Sequence, residues 1–383
     1  MNKILATLIG KEKNSLTFLV VLCLLSQMVA YYKFGVFVSE DSAMYITDAQ
    51  SIIDGVWPMK RNFWYSSYSF VIAVIIFFGG KATDIVIVQA LTSVLASIGI
   101  YKLTQRITRN NTSAFVATIL YILWFKIHQW NMIVYTDALF TSATVITIVM
   151  IHFSTKKIHY LFSFFASIFT ILLRPTGIGF LVAILAYLIF NLFKTGRISK
   201  FYKFQLIIFS SVLIILLLNF VLRNYISSFL ESYAKAEIIY PNISLNVARS
   251  EDLIIPEAHF PPLIRLVIFI FSNPIYFTKI SLIKAALLLA HVKPYYSFFH
   301  NAVICIFLYP IYYFMIKGMN SFAGSNIKLF MLIFILFQVI TVSLTSENWD
   351  GRFLLPILPY VFIIASFGIT DMIESKLKLL KIH

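Results

Sequence analysis

Only 16 of the 383 residues are acidic, so where the carboxylates stand is informative. Glu40 and Asp41 form an adjacent pair, Asp137 stands alone in Ile133-Val134-Tyr135-Thr136-Asp137-Ala138-Leu139-Phe140, and Glu347 and Asp350 fall in Glu347-Asn348-Trp349-Asp350-Gly351-Arg352. A carboxylate set among apolar residues is suited to take a proton from a hydroxyl as that hydroxyl attacks an electrophile. Arg174, in Leu172-Leu173-Arg174-Pro175-Thr176-Gly177, and Arg352 are suited to hold a phosphate. Lys293 is a further cation of this kind. Arg61 and Tyr68 lie in a run of cations and aromatics, 59–68, that serves either to hold a phosphate or a sugar ring or as an anchoring belt. Asp41, Tyr45 and Asp48 are three or four residues apart and share one face if 40–54 is helical. Simpler roles compete: Glu40 and Asp41 favour a helix dipole, Asp137 caps a helix, and Arg352 pairs locally with Asp350 or Glu347. No phosphate loop, dinucleotide fingerprint, H-E-x-x-H or Cys/His cluster occurs, and the seven histidines, His128 among them, read as packed or interfacial residues.

The elements that carry these residues belong to a membrane protein. Sixty per cent of the chain is hydrophobic and 12% charged, with 38 Phe, 21 Tyr and a mean hydropathy of +0.87, too little polar surface to coat a soluble particle. The net charge of +15 falls in short clusters beside apolar runs, which marks cytoplasmic loops and not a nucleic-acid face. Lys3, Lys11 and Lys13 precede an apolar stretch with no small-residue cleavage site, so a retained first span is expected. The spans read as 16–35, 84–103, 113–130, 137–153, 158–173, 176–193, 204–222, 264–278, 280–292, 298–316, 328–345 and 353–372, about 12 transmembrane helices. With both termini inside, the clusters at 102–109, 156–157, Lys194/Arg197/Lys200/Lys203, Lys317/Lys328 and Lys376/Lys378/Lys381 all become cytoplasmic, provided that 67–79 is interfacial or re-entrant. Residues 36–83 and 223–263 are then large outer loops, the first containing an amphipathic helix closed by Gly55 and Pro58. Every acid named above lies outside, and so do Arg174 and Arg352, where the positive-inside rule disfavours cations. The expected fold is an all-α polytopic membrane protein, a single membrane domain over 1–383, with no soluble C-terminal domain. The Lys/Ile/Asn-rich composition and the lack of retention signals point to a bacterial inner (plasma) membrane.

Chemistry outside the cytoplasm has no nucleotide sugar to draw on, so an activated donor has to be carried by the membrane. A polyprenyl-phosphate sugar meets that need, its phosphate held by arginine or lysine and its tail between helices. One base and a phosphate leaving group imply single displacement with inversion. The acidic pair opening the first outer loop, Y-x-x-x-A, a helix ending G-x-x-P, a short apolar segment ending in Gly, the acid before the fourth span, the R-P-T-G turn and the late G-R-x-L-L-P-x-L-P together resemble the GT-C membrane glycosyltransferases. Within that class the likeness is to the protein O-mannosyltransferase and lipid A aminoarabinose transferase group, over most of the first 200 residues and the last span. The resemblance implies a GT-C-like bundle, a catalytic base at Asp41 and a second acid at Asp137. The order Glu40-Asp41 keeps both as candidates for the base. Thr136-Asp137-Ala138-Leu139 lacks a D-x-D pair, so no metal or other cofactor is expected. The expected partners are the lipid-phosphate sugar, a glycan, lipid or protein acceptor, and membrane lipid. Two alternatives are a polymerase of lipid-linked glycans with the same architecture, and a transporter or flippase of lipid-linked sugars, although no internal repeat or inverted pair of broken helices supports the latter.

Overall fold

The computed structural model describes residues 12–194, 199–250, 252–321 and 326–380. Lys3, Lys11, Arg197 and Lys381, four of the cations used to orient the chain, lie outside the described residues. Among the described residues the regular structure is helical apart from one two-stranded parallel pairing, β1 (Ile239–Tyr240) with β2 (Glu347–Asn348), and isolated bridges at Phe37–Ile133 and Ile239–Ile243. Among the described residues eight helices are long and apolar enough to cross a membrane, or nine if one bent pair counts as a span. Of the twelve segments expected to span, 113–130 and 158–173 are helices too short for that test, and 264–292 is the bent pair. The chain divides into two compact units.

The first unit runs to Arg174 and adds 306–321 and 355–380. It begins with α1 (Glu12–Phe34), then α2 (Glu40–Ile53), α3 (Ser66–Phe77) and α4 (Ala82–Thr108). There follow α5 (Asn111–Leu123), α6 (Phe125–Asn131), α7 (Thr136–Phe153) and α8 (Lys157–Ile171). The expected outer-loop helix is α2. A reciprocal cap starts it: the Ser42 amide donates to Ser39 Oγ at 3.3 Å and the Ser39 amide donates to Ser42 Oγ at 2.9 Å. Glu40 and Asp41 occupy its first turn, where the dipole favours them. The segment 67–79 forms α3, whose 12 residues cover about 18 Å at 1.5 Å per residue and cannot cross a bilayer. Trp124 breaks the expected span 113–130, leaving α5 with 13 residues and α6 with seven.

The second unit covers 175–305 and 326–354 within the described residues. It holds α9 (Gly177–Lys194), α10 (Lys200–Leu222), α11 (Ile226–Ala234), α12 (Pro262–Ser272) and α13 (Pro274–Ala290). α14 (Phe298–Ser321) starts here and ends in the first unit, and α15 (Asn326–Leu344) packs on α9 and α13. α10 is apolar all round with a single buried residue, Ser210, as expected of a helix facing lipid. α12 and α13 are bent by 105° at Asn273, whose helical conformation is disfavoured by Pro274 and whose side-chain amide donates to Ile254 O at 2.9 Å. The segment expected to form the second large loop packs on this bend through Phe229, Leu230, Tyr233 and Ile239, which are buried with Leu266, Phe269 and Ile280. In the first unit the last helix, α16 (Leu358–Leu380), meets α14 through glycine: a Cβ on Gly318 would strike Ile364 O and one on Gly368 would strike Phe314 O.

Candidate active site

A backbone crossing far apart in sequence builds the site in the first unit. The Phe37 amide donates to Met132 O at 2.9 Å and the Val134 amide to Phe37 O at 3.0 Å, while Ser42 Oγ donates to Val134 O at 2.6 Å. The start of α2 is thereby fixed beside the start of α7. Across this crossing the Tyr135 hydroxyl donates to Asp41 Oδ2, and the Asp41 side chain is otherwise on the exposed side of α2. Glu40 is exposed as well. Asp137 differs. It is completely buried and forms an ion pair with Arg174, itself 7% exposed, whose guanidinium lies 5.7 Å from the Phe140 ring. Asp137 is in the first turn of α7 but Tyr135 is the cap residue, with no side-chain cap bond; the Arg174 pair is therefore a better account of its burial than helix capping. Arg174 is brought there because the Ser67 amide, at the start of α3, donates to Leu172 O at 3.1 Å.

Tyr45 connects the two acids. Its ring packs 5.4 Å from Tyr65, 5.0 Å from Tyr68 and 5.6 Å from Tyr135. Burial, then the neighbouring Tyr65 and the carboxylates of Asp137 and Asp41, push its phenol well above its ordinary pKa. Both acids thus act electrostatically on one side chain. Tyr45 and Tyr68 are 2% and 0% exposed, so both pack behind the acids instead of forming a surface. Asp48 is half-buried and accepts from Asn62 Nδ2 at 3.0 Å, with burial pushing its pKa up, while Arg61 is exposed on the turn that follows. Tyr135 was not singled out by its sequence context, nor was Gln89, whose side chain accepts from Tyr68 OH at 2.7 Å.

A charge-assisted hydrogen bond is worth roughly 1.5–3 kcal/mol. Tyr135→Phe should lower the turnover by about tenfold if the hydroxyl holds Asp41 in its working position, with little change in thermal unfolding; kcat measured under saturating substrate checks this.

The remaining candidates gather in the second unit. Lys293 Nζ stands 3.6 Å from Glu347 Oε1 with neither side chain exposed. The Asn348 amide donates to the same carboxylate at 3.0 Å, and Arg352 attracts it more weakly. Lys293 is bracketed by Asn301, which accepts from its amide at 3.1 Å and donates to its carbonyl at 2.9 Å. Asp350 sits in a turn closed by its amide donating to Asn348 Oδ1 at 3.0 Å, and the Arg352 guanidinium lies 5.3 Å from the Phe353 ring. Gly351 has φ +70°, and a Cβ there would strike the His291 ring, so only glycine fits this turn.

Burial pushes Glu347 up to about 7 although Lys293 pulls it down, and burial likewise lowers Lys293 against the pull of Glu347. A carboxyl whose folded pKa is raised contributes stability that is complete below its ordinary 4.5 and lost as pH rises through about 7. Glu347→Gln should therefore flatten the part of the pH dependence of thermal unfolding that falls between those values; an unchanged slope would contradict the burial argument.

With the geometry in place, comparison with known proteins is informative. Residues 67–218 match the model of the dolichyl-phosphate-mannose-protein mannosyltransferase family. The family is of GT-C glycosyltransferase type, and it is this type that the chain resembles, in sequence over the matched stretch and in its set of membrane-length helices. The mannosyltransferase match runs from the start of α3 into α10 and so takes in Tyr68, Gln89, Tyr135, Asp137 and Arg174, while Asp41 precedes it. No curated protein matches the chain.

Proposed function

We propose that the protein is an inverting glycosyltransferase that moves a sugar from a polyprenyl-phosphate donor to a glycan, lipid or protein acceptor on the extracytoplasmic face. The observation that carries this reading is the exposed Asp41 carboxylate, oriented by Tyr135 and adjoining the buried Asp137–Arg174 pair. In the reaction, Asp41 accepts the proton of the acceptor hydroxyl while that oxygen forms its bond to the anomeric carbon. The bond from that carbon to the phosphate oxygen breaks, and the polyprenyl phosphate leaves with the electron pair. A single displacement inverts the configuration. Between the two adjacent acids, the hydrogen bond from Tyr135 favours Asp41 over Glu40 as the base.

Arg174 is proposed to steady the phosphate. Its guanidinium is a planar fork of donors, which Asp137 orients. In the second unit, Lys293, Glu347, Asp350 and Arg352 are proposed substrate-binding residues, with Arg61 on the first outer loop. The reaction as written uses side chains alone.

The charge distribution within the first unit supports the sidedness. Asp137 lies in the first turn of α7 and Phe153 closes it, and Phe153 lines a cavity of about 510 Å³ with Lys102, Arg106 and Arg109 at the end of α4. The cations at this end of α4 agree with a cytoplasmic position, which supports the proposed extracytoplasmic position of Asp41 at the opposite end of α7.

Mass spectrometry of envelope glycans, lipids and proteins from cells with and without the gene tests the reading. One hexose or pentose missing from a single class of molecule is expected. Identical profiles would overturn the assignment, and loss of a long ladder of repeats would turn it into a polymerase.

A further inference from the structure

In a bilayer each helix satisfies its own backbone, so non-helical backbone buried at membrane depth needs partners from elsewhere. Among the described residues of the first unit, two stretches of buried non-helical backbone are the break at Trp124 and residues 132–135 between α6 and α7. Side chains meet both. His128 Nε2 bonds Ile122 O at 2.8 Å, just before the break. Gln89, from α4, directs both hydrogens of its amide to Asn131 O at 2.9 Å and Ile133 O at 2.8 Å, and its oxygen accepts from Tyr68 OH at 2.7 Å. This orientation of the amide is the one that works, since exchanging its oxygen and nitrogen would set an oxygen against two carbonyls.

Behind Gln89 lies a second layer. Gln27, from α1, donates to His128 Nδ1 at 2.8 Å and accepts from Asn131 Nδ2 at 3.1 Å. The imidazole is therefore the neutral tautomer with its hydrogen on Nε2, which donates to Ile122 O. Gln27, Gln89, His128 and Asn131 are 5%, 1%, 0% and 0% exposed. Buried polar networks of this kind are strong when complete, because the low local dielectric makes any broken link costly.

The stretch these side chains hold is the one that carries Tyr135. We propose that Gln89, with Tyr68 in front of it and the Gln27–His128–Asn131 triangle behind it, is a positioning unit that fixes Tyr135 and through it the Asp41 carboxylate. Gln89 touches no reacting atom. It clamps Asn131 and Ile133, while Phe37 clamps Val134 from the opposite side, so the backbone leading into Tyr135 is held on both sides. This role rests on the reading of Asp41 as the base.

The test uses the full-length protein in lipid nanodiscs with a polyprenyl-phosphate sugar that the wild type accepts. Gln89→Leu should lower kcat by up to about tenfold, the loss expected of Tyr135→Phe, while KM for donor and acceptor stays within about threefold. Tyr68→Phe, which deletes only the hydroxyl that Gln89 accepts from, should lower kcat by about fivefold and serves if Gln89→Leu does not fold. Ser97→Ala, which removes a buried hydroxyl bonded to Val94 O on the same helix, should leave the rate unchanged.

The decisive comparison is a double-mutant cycle. If Gln89 acts through Tyr135, Tyr135→Phe/Gln89→Leu is no more than about twofold slower than Tyr135→Phe alone. Losses that multiply, or a change confined to KM, would overturn the proposal, as would kcat within twofold of wild type in Gln89→Leu or, where that variant does not fold, in Tyr68→Phe. Asp41→Asn separates the two levels: an inactive Asp41→Asn beside a fully active Gln89→Leu sinks only the positioning role, whereas an active Asp41→Asn removes the base itself.

Discussion

Asp41→Asn should reduce sugar transfer by about 10²–10⁴-fold, the range expected when a general base is removed, in a protein that still inserts and unfolds at the wild-type temperature. Stability should be spared because Asp41 is on the exposed side of α2, and the amide oxygen of Asn still accepts from the Tyr135 hydroxyl. The loss should fall on kcat and hold at saturating donor and acceptor. Glu40→Gln, one residue away and lacking the Tyr135 bond, should retain most activity. If Glu40→Gln is the dead variant and Asp41→Asn the active one, the base has been assigned to the wrong member of the pair.

The Asp137–Arg174 pair should behave in the opposite way. Its side chains are 0% and 8% exposed, and removing one partner of a buried ion pair strands the other charge at a cost of about 3–5 kcal/mol. Asp137→Leu and Arg174→Met should each lower the unfolding temperature markedly. The double variant, with no charge left to strand, should recover most of that loss. Transfer should not recover with it if Arg174 steadies the donor phosphate. A milder variant reads the role directly: Arg174→Lys keeps a point charge but loses the fork, and should raise KM for the lipid donor more than KM for the acceptor. A stable and fully active double variant would reduce the pair to a structural one.

Most of the frame was legible because hydropathy and charge are local. The eight long helices coincide with eight of the twelve expected segments, and α2 lies where its acids, apolar stripe and Gly55 put it. The segments beyond those eight are 113–130, where Trp124 breaks the helix, 158–173, a helix of 15 residues, and the bent pair 264–292. Hydropathy averaged over a window registers neither a break nor a bend. Asp41, Asp137 and Arg174 were legible as acids and an arginine out of place in apolar surroundings. Tyr135 was not, because its partner lies 94 residues earlier and the crossing at Phe37 and Ile133 that joins them has no periodicity to reveal it. Gln27, Gln89 and His128 did leave a signal, being polar side chains inside apolar runs. His128 alone was noted, as a packed residue, which it is; that it also holds Gln27 needed coordinates.

The brevity of α3 reaches beyond the protein itself. Its Phe70, Val74, Phe77 and Phe78 side chains are 45%, 41%, 71% and 82% exposed, yet the helix is about 12 Å shorter than a hydrocarbon layer of roughly 30 Å. A mismatch of this kind thins or bends a bilayer locally, so lipid resting against Phe70, Phe77 and Phe78 is expected to be shallower than elsewhere around the protein.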